Sequence, residues 1–494
     1  MKVFHILLLP LITSLCWGER STPKTTVFFK KIQLTDQYLT EGASIGDINA
    51  DGKPDIIAGP LWWQGPNFKK SHAYAPVKVF PIGGYSQNFF TFPDLITKDK
   101  WTDILKVGLP AQPAHLAINP GEKPLPADNK EHQCEHCPAQ EHICNESPQY
   151  LNVLGKSRQL LAHSRGYITL SEPAPDPTKP WIVHRITPKD SGVQMFIHGL
   201  GSGDIDGDKL PDILEKRGWW QQPKNWDRKT PWKFHPFAFA PKQGGAQMFA
   251  YDIDGDGDND VVTALNAHSW GMAWYEQVQE DGAITFKQHI VMTDKPVGNP
   301  YGVCFSQPHA MDCVDIDGDG IKDIVTGKCY FAHNGRDPGA NDPAVLYWFR
   351  TTRHKDGSTE LIPYLIDDNS GVGRQISTGD LNGDGKIDIV VGNKKGVFAF
   401  IQTDTAPPKK AKPSPKDNTL FFEGEALKVM KSTGSARPQS LHTFGTGLWS
   451  GDQHLWWTGA KPGDILELAI PVSKAGIYRL GVGMTKAKDY GIVE

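Results

Sequence analysis

An all-β fold built from repeated units is predicted by three features of this sequence. Five short loops share the spacing Asp-x-[Asp/Asn]-x-Asp-x-x-x-Asp. Each loop runs directly into an apolar segment, such as Ile56-Ile57 or Val261-Val262, of the kind that forms a β-strand. An aromatic strand and then a segment resembling Trp-x-x-His-x-Ile recur after the loops. A period of about fifty residues is typical of repeat architectures, so the chain is expected to stack similar small sheets.

The five loops are the candidate metal sites. Side chains at offsets zero, two and four of a tight loop can direct oxygens toward one centre, and the Asp at offset eight completes the shell. Ca²⁺ takes six to eight oxygens in a flexible geometry, whereas Mg²⁺ requires a tighter octahedron. Glycine at offset five would permit the positive φ that such a turn needs. The sequence therefore predicts about five calcium ions, with these ligands: Asp47, Asn49, Asp51, Asp55, Asp204, Asp206, Asp208, Asp212, Asp252, Asp254, Asp256, Asp260, Asp315, Asp317, Asp319, Asp323, Asp380, Asn382, Asp384 and Asp388.

Two degenerate copies of the repeat lie between the first two intact loops. One keeps Asp99, Asp103 and the strand that follows, and the other, residues 151–161, keeps only the succession of loop and strand. Repeats then start near positions 47, 94, 151, 204, 252, 315 and 380, which predicts a seven-bladed β-propeller over residues 27–403. The last repeat lacks its final strand, and residues 28–34 resemble that strand. We expect them to complete the seventh blade and to remove an exposed sheet edge.

These repeats resemble the FG-GAP, or VCBS-type, family of calcium-binding propeller repeats over roughly residues 27–402. The resemblance implies that the five intact loops bind calcium. Lys209 stands where the loop usually has glycine, which departs from the family pattern. The second and third repeats depart too far for the calcium role to be transferred to them.

Regions at both ends lie outside the repeats. Residues 1–18 have the charged, apolar and small-residue regions of a signal peptide, which predicts a secreted, periplasmic or cell-surface protein. Residues 404–418 form a Pro/Lys-rich linker. Residues 419–494 alternate apolar and polar positions and resemble the opening half of jelly-roll carbohydrate-binding modules, so we expect an incomplete β-sandwich and a truncated chain. The resemblance implies glycan stacking on aromatic rings; the alternative is that these rings are core residues: Trp449, Trp456 and Trp457.

The sequence has seven cysteines, one of them in the predicted signal peptide. Cys134, Cys137 and Cys144 are interleaved with histidines, and both a disulfide-stapled loop and a soft-metal site remain open for them. The remaining three are expected to be ordinary strand or loop residues with at most one bridge among them: Cys304, Cys313 and Cys329.

A second candidate site consists of polar residues at the starts of the innermost strands. These residues would surround the mouth of the propeller channel, although polar residues satisfied by the backbone would give the same pattern. The candidates are Glu41, Gln87, Gln194, His198, Gln247, Gln307, His309, Arg374 and Gln375, joined by His268 and His333.

The predicted function is that of an exported calcium-binding propeller that binds extracellular or cell-surface ligands, with glycans as the expected class. The alternative is a polysaccharide-active enzyme, a lyase or a sugar-oxidising enzyme, with its site at the channel mouth. The sequence contains no nucleophile elbow, phosphate loop or metalloprotease helix and no evident pair of acids outside the calcium loops, which favours binding over catalysis. We expect a monomer with no transmembrane span and no nucleic-acid partner.

Overall fold

The computed structural model of the chain describes residues 27–122, 133–140, 142–176, 179–192, 194–405, 422–440, 453–459, 461 and 464–472. Contacts within the chain divide it into two units, Met1–Pro407 and Pro408–Glu494. The predicted signal peptide and nearly all of the predicted linker lie outside the described residues.

The first unit is an all-β propeller. Its strands fall into successive groups of four, each an antiparallel meander, apart from the first strand of the chain, β1 (Phe28–Thr35). Three groups follow β1: β2 (Ser44–Gly46), β3 (Asp55–Ala58), β4 (Leu61–Trp63) and β5 (Ser71–Ala73); β6 (Phe90–Asp94), β7 (Asp103–Val107), β8 (Ala114–Ala117) and β9 (Gln133–Gln140); and β10 (Gln149–Leu151), β11 (Gln159–Ser164), β12 (Tyr167–Glu172) and β13 (Ile182–Arg185).

The next eight strands form one eight-stranded sheet, in which two such meanders are joined by parallel pairing of their first strands. These strands are β14 (Leu200–Gly203), β15 (Asp212–Glu215), β16 (Gly218–Gln221), β17 (Lys233–Pro236), β18 (Met248–Tyr251), β19 (Asp260–Ala264), β20 (Met272–Glu280) and β21 (Ala283–Met292). The last strands are β22 (Pro308–Val314), β23 (Asp323–Lys328), β24 (Leu346–Arg353), β25 (Thr359–Asp367), β26 (Ile376–Gly379), β27 (Asp388–Asn393) and β28 (Gly396–Thr403). Two short 3-10 helices lie at Pro296–Gly298 and Ala332–Gly335.

The N-terminal strand closes the last sheet. Strand β1 pairs antiparallel with β28, with Phe28 opposite Thr403 and Lys31 opposite Phe400, and the sheet order is β1-β28-β27-β26. This pairing confirms that residues 28–34 supply the strand that the last repeat lacks. It covers the edge that β28 would otherwise expose, so both ends of the described part of the propeller lie in one sheet.

The first strand of each group lies beside the first strands of its neighbours. Ser44 Oγ on β2 lies 2.6 Å from Thr91 Oγ1 on β6, and the Thr378 hydroxyl on β26 donates to Asp312 Oδ2 on β22 at 2.7 Å. Apolar side chains fill the space between neighbouring sheets. Because the innermost strands gather in this way, residues that precede them converge on the propeller axis.

The predicted aromatic and histidine strands are the third and fourth strands of their groups. In three groups a Trp lies opposite a His across this strand pair, and the two rings stack. The ring centroids lie 4.0–4.2 Å apart in the three pairs Trp62/His72, Trp219/His235 and Trp274/His289. The recurring His therefore covers the face of a buried indole.

The second unit is described in part. Its described strands are β29 (Lys428–Ser432), β30 (Ser435–Ser440), β31 (Gln453–Thr458) and β32 (Leu466–Ala469), preceded by a 3-10 turn at Gly424–Ala426. They form two antiparallel pairs, β29–β32 and β30–β31. The jelly-roll arrangement stays a prediction. Within the described parts of the chain, no helix has both the length and the apolar character that spanning a membrane requires.

Candidate functional site

The five acidic loops connect the first and second strands of their groups and share one backbone conformation. The residue at offset five has a positive φ in each loop, with values from 72° at Lys209 to 101° at Gly257. In four of the five loops the first Asp accepts the N–H of that residue, as Asp47 Oδ2 does from Gly52 at 2.8 Å. In the loop of residues 252–260, Asp252 Oδ1 accepts the N–H of Gly255 at 2.6 Å. Lys209 donates in the same way to Asp204 Oδ2 at 2.9 Å. The departure at Lys209 therefore leaves the turn intact.

Carboxylate oxygens converge in these loops. In three loops, oxygens of the Asp residues at offsets zero, two and eight lie within 4.8 Å of one another, in the sets Asp204/Asp206/Asp212, Asp252/Asp254/Asp260 and Asp315/Asp317/Asp323. In the other two loops an Asn takes offset two, and its Nδ2 donates to the next Asp. Such sets of oxygen donors suit a hard cation such as Ca²⁺.

Two observations test the fit of the loops to an ion. Asp204 Oδ1 and Asp317 Oδ1 are buried and have no hydrogen-bond partner among the described residues, and a cation would satisfy them. In contrast, Arg350 already forms ion pairs with Asp317 and Asp319, at 2.6 and 3.0 Å. The donor sets fit calcium, and in the loop of residues 315–323 the ion would compete with Arg350.

The Asp at offset eight has a second role in every intact loop. Asp55 Oδ2 accepts the N–H of Ile48 at 2.9 Å, and its Oδ1 accepts the N–H of Gly65 at 2.8 Å. The same pair of contacts is made by Asp212, Asp260, Asp323 and Asp388. Each of these carboxylates therefore ties its loop to the end of the third strand, in addition to any contact with a metal ion.

Burial changes the acidity of these carboxyl groups. It raises the pKa of Asp323 to about 8 and of Asp212 and Asp260 to about 7, against backbone hydrogen bonds that lower it. Burial likewise raises the pKa of Asp55 and Asp388 to about 6. Neighbouring loop carboxylates add to the rise in all five cases. Burial and mutual repulsion therefore make the ionised form of these carboxyl groups unfavourable in the folded chain.

A second cluster of charged and polar side chains lies at the propeller axis. We call it the axial cluster and define it by Glu41, Glu146, His198, His268, His309, His333, Asp337 and Arg374. Most members immediately precede, or start, the innermost strand of a group, which brings residues far apart in the chain together. Glu41, for example, lies 333 positions from its partner Arg374.

Arg374 is the fully buried cation of the axial cluster. Its Nη1 donates to Glu41 Oε2 at 2.7 Å, and its Nε donates to Glu146 Oε2 at 3.3 Å. Cys329 Sγ accepts from the same Nη1 at 3.3 Å, and the Tyr38 hydroxyl donates to Glu41 Oε1. Two buried carboxylates thus flank one guanidinium, which balances the charges that burial alone would disfavour.

Two buried imidazoles lie beside Glu146. His198 Nε2 and His309 Nε2 are 3.2 Å apart, and they lie 3.7 and 3.3 Å from Glu146 Oε2. The Nδ1 atoms of both rings have no partner among the described residues. Burial lowers the pKa of both histidines, in His309 well below its usual range. Burial opposes ionisation of Glu146, but hydrogen bonds from the two histidines and the charge of Arg374 keep its pKa well below its usual range.

The cluster continues toward solvent through His268 and His333. Their rings lie 4.4 Å apart, and the His268 ring lies 5.1 Å from that of His198. Asp337 contacts both: its Oδ2 is 3.0 Å from His268 Nδ1, and its Oδ1 is 2.9 Å from His333 Nδ1. The side chain of His333 is 45% exposed. The axial cluster therefore extends from a buried interior to an accessible rim.

The structure brings only some of the predicted channel residues into this cluster. Gln247 and Gln375 are buried, and the oxygen and nitrogen of each side-chain amide form hydrogen bonds with backbone groups. Gln247 bonds with Arg374 O and Met311 N, and Gln375 bonds with Thr91 N and O. They connect different groups of strands, and their amides are occupied by these backbone contacts. Gln87 and Gln194 are exposed. Gln307 is buried, with its Nε2 donating to Asp337 Oδ2 at 3.0 Å.

Sequence reasoning missed Glu146, Asp337 and Lys328. Glu146 lies three residues before β10, as Glu41 lies three residues before β2, so alignment of the degenerate third repeat to the first would have found it. Asp337 lies in the loop that follows β23, and the sequence of this loop shows none of the features of the repeat. Lys328 ends β23 and is fully buried, with its Nζ donating to Gln307 Oε1 at 2.7 Å.

The cysteine predictions are settled in part. Cys144, Cys304, Cys313 and Cys329 carry free thiols, so the bridge considered among the last three is absent. The Cys304 thiol donates to Thr293 O, and Cys329 Sγ accepts from Arg374 Nη1. The side chains of Cys134 and Cys137 lie outside the description, as does Trp449.

Trp456 and Trp457 are half-buried on β31 in the second unit. The guanidinium of Arg437 lies 5.2 Å from the Trp456 ring, and Trp457 Nε1 donates to Thr433 O at 2.9 Å. Both rings thus have partners within their own unit, and each keeps some exposed surface.

Residues 252–326 and 315–391 match the family of FG-GAP-like repeats. The chain carries FG-GAP-like repeats. A search among curated proteins finds no match.

Two solved structures are similar to the chain. One is a lectin from Agrocybe aegerita, described for specific recognition of non-reducing terminal N-acetylglucosamine, with 17% identity, coverage of 69% of this chain and 81% of the lectin, and a TM-score of 0.40. The other is the exotype rhamnogalacturonan lyase YesX, with 10% identity, coverage of 76% of each chain and a TM-score of 0.39. Both likenesses are too distant to assign a ligand or an activity to this chain.

Proposed function

We propose that this chain is an exported, monomeric, calcium-binding β-propeller of seven blades whose axial cluster binds carbohydrate at a cell surface or in the extracellular medium. The observation that carries the proposal is the axial cluster itself, in which buried charged groups lead to an accessible rim at His333. Such a concentration of polar groups at the meeting point of all the innermost strands is typical of a binding site.

The count of seven blades rests on the strand groups. Five four-stranded sheets and the two meanders of the eight-stranded sheet each match one predicted repeat. Calcium would occupy the five intact acidic loops, where oxygen donors converge and where buried carboxylate oxygens such as Asp204 Oδ1 and Asp317 Oδ1 have no hydrogen-bond partner among the described residues. Its role there would be to hold the loops, because the cation offsets repulsion among carboxylates.

Carbohydrate is the class of ligand that this surface fits. Sugar hydroxyls both donate and accept hydrogen bonds. At the rim a neutral imidazole can do both, and a carboxylate can accept. Phe196 lies two residues before His198, is 43% exposed, and is fixed by donation of its N–H to Cys144 O at 2.8 Å. An exposed aromatic ring beside polar groups is the usual platform for the apolar face of a sugar. In the second unit, Trp456 and Trp457 would supply a further glycan contact.

The test is a glycan-binding screen with the full chain in excess calcium, followed by affinity measurement on the best ligand. We expect His333→Ala and Phe196→Ala each to weaken binding at least about tenfold. Ile290→Ala removes a comparably exposed apolar side chain on β21 and is the matched control. Binding that neither variant changes, or no retention of any glycan, would refute the carbohydrate role of the axial cluster.

A second candidate function, a polysaccharide-active enzyme, is favoured by one observation. The sequence offered no pair of acids outside the loops, but Glu41 and Glu146 both contact Arg374 inside the axial cluster. Paired carboxylates with a cation between them can serve acid and base chemistry. New reducing or unsaturated ends in the glycan incubations, lost in Glu146→Gln, would favour catalysis, and retention without products would favour binding alone.

A further inference from the structure

Three side-chain atoms of the axial cluster have the spacing of ligands around a small metal ion. His198 Nε2 and His309 Nε2 are 3.2 Å apart. Glu146 Oε2 lies 3.3 Å from His309 Nε2 and 3.7 Å from His198 Nε2. With metal–nitrogen bonds of about 2.0–2.1 Å, neighbouring ligands of a tetrahedral zinc site lie about 3.3–3.4 Å apart. The three separations fall close to the edges of such a tetrahedron.

A third imidazole completes the set. One ring nitrogen from each of His198, His268 and His309 lies within 4.8 Å of the others. His268 Nδ1 is held 3.0 Å from Asp337 Oδ2, which leaves its Nε2 for a ligand. A carboxylate on the far nitrogen of an imidazole is the usual support for a metal-binding histidine, because it fixes the tautomer and the ring orientation.

Two imidazole nitrogens and one carboxylate oxygen meet at one buried point. The side chains of His198 and His309 are fully buried, and that of Glu146 is 9% exposed. Two Nε2 atoms that face each other can share only one hydrogen, and the same carboxylate oxygen faces both. A cation placed among the three atoms would satisfy all of them. Imidazole donors suit zinc, copper, nickel and iron, whereas calcium takes oxygen ligands.

We propose that His198, His268, His309 and Glu146 bind one divalent transition-metal ion of the zinc class at the propeller axis. This site is separate in position and in donor chemistry from the acidic loops. The inference goes beyond the proposed function and does not depend on it, because its test measures metal binding without any carbohydrate.

The experiment uses Co²⁺ as the probe, on the full chain carrying Cys134→Ser and Cys137→Ser so that thiolates outside the axial cluster do not contribute. The protein is stripped with a chelator, given excess Ca²⁺ to fill the acidic loops, and titrated with Co²⁺. We expect one Co²⁺ per chain with the intense visible absorption of a low-symmetry nitrogen-ligated site, displaced by one equivalent of Zn²⁺. His309→Gln should weaken Co²⁺ binding more than about tenfold.

The controls separate this site from its neighbours. His354→Gln changes a histidine on the hairpin between β24 and β25, whose side chain is 39% exposed, and should leave the titration unchanged. If His309→Gln fails to fold by circular dichroism, His268→Gln tests the same site at a half-buried position. Lack of a stoichiometric absorption band, or a titration unchanged in the folded ligand variants, would overturn the proposal. Loss of the band in His333→Gln alone would also overturn it, since that result places the ion on His268, His333 and Asp337.

Discussion

Lys328 is a buried cation at the edge of the axial cluster. Its Nζ donates to Gln307 Oε1 at 2.7 Å and to Ser306 Oγ at 3.2 Å. Gln307 Nε2 in turn donates to Asp337 Oδ2. Burial lowers the pKa of Lys328 to about 8. Near neutral pH the folded protein therefore keeps an ammonium group among neutral partners, which costs stability.

This cost should depend on pH. From about pH 8 to the ordinary lysine pKa of 10.5, the unfolded chain still binds the proton that folded Lys328 has lost, so stability rises with pH. We expect the free energy of unfolding of the wild type, relative to Lys328→Met, to rise by about 2 kcal/mol between pH 7 and pH 10. Denaturant titrations of both proteins at the two pH values measure the difference, which cancels all other titrating groups. Parallel pH profiles would show that Lys328 keeps its ordinary pKa.

Lys209 gives a prediction of a different kind, because its backbone has a φ of 72°. A left-handed conformation costs a residue with a Cβ about 1 kcal/mol, and the greater freedom of unfolded glycine offsets part of the gain on substitution. We expect Lys209→Gly to stabilise the protein by about 0.5 kcal/mol in denaturant titration. Lys53→Gly is the control, since Lys53 occupies an exposed loop position that is not left-handed. It should be neutral or destabilising.

At the scale of the repeat, the Asp at offset eight explains why degenerate copies still fold. In the second group, Asp103 Oδ2 accepts the N–H of Thr97 at 2.8 Å, and Oδ1 accepts that of Asn119 at 2.9 Å, although the other loop acids are reduced. In the third group Gln159 Oε1 accepts from Val153 and Leu154 at 2.9 and 3.0 Å. The contact that ties the loop to its sheet therefore persists where the acidic loop does not.

This argument predicts unequal effects for two acids of the second group. Asp103→Ala leaves two backbone N–H groups without an acceptor and should destabilise the protein by about 3 kcal/mol. Asp99→Ala removes an exposed side chain that accepts one N–H, from Trp101, and should cost about 0.5 kcal/mol. Denaturant titrations of both variants in excess calcium measure these values, since no intact acidic loop is changed. Equal losses would contradict the structural role of Asp103.

The repeat period made much of the fold predictable, because loops, buried strands, Trp strands and His strands recur in one order. The closure by β1 followed from the same counting. The axial cluster was less predictable, because its members come from residues before the strands and from irregular turns. Gln247 and Gln375 resembled ligands in the sequence but bond to neighbouring backbone groups. Glu146 was missed because it precedes a repeat that had lost its acidic loop.

For the whole molecule, the distribution of charge is the dominant feature. The net charge is only −4, but the acidic loops gather carboxylates whose buried members have raised pKa values. Arg350 and Arg353 provide partial compensation in two loops, through Asp317 and Asp252. Because all of the groups of strands belong to one closed arrangement, repulsion in a few loops should weaken the propeller as a unit.

Calcium removal should therefore lower the melting temperature of the whole propeller by many degrees, in one transition. Metal analysis before and after chelation should show the loss of about five calcium ions, and thermal melts followed by circular dichroism measure the effect. Restoration by Ca²⁺ and not by equal Mg²⁺ would match the flexible oxygen sites of the loops. Arg350→Met should enlarge the shift, because the calcium-free loop of residues 315–323 then loses its compensating cation. A melting temperature that is unchanged after verified calcium loss would mean that hydrogen bonds made by the loop carboxylates, with Asp55 and its equivalents foremost, hold the loops without an ion.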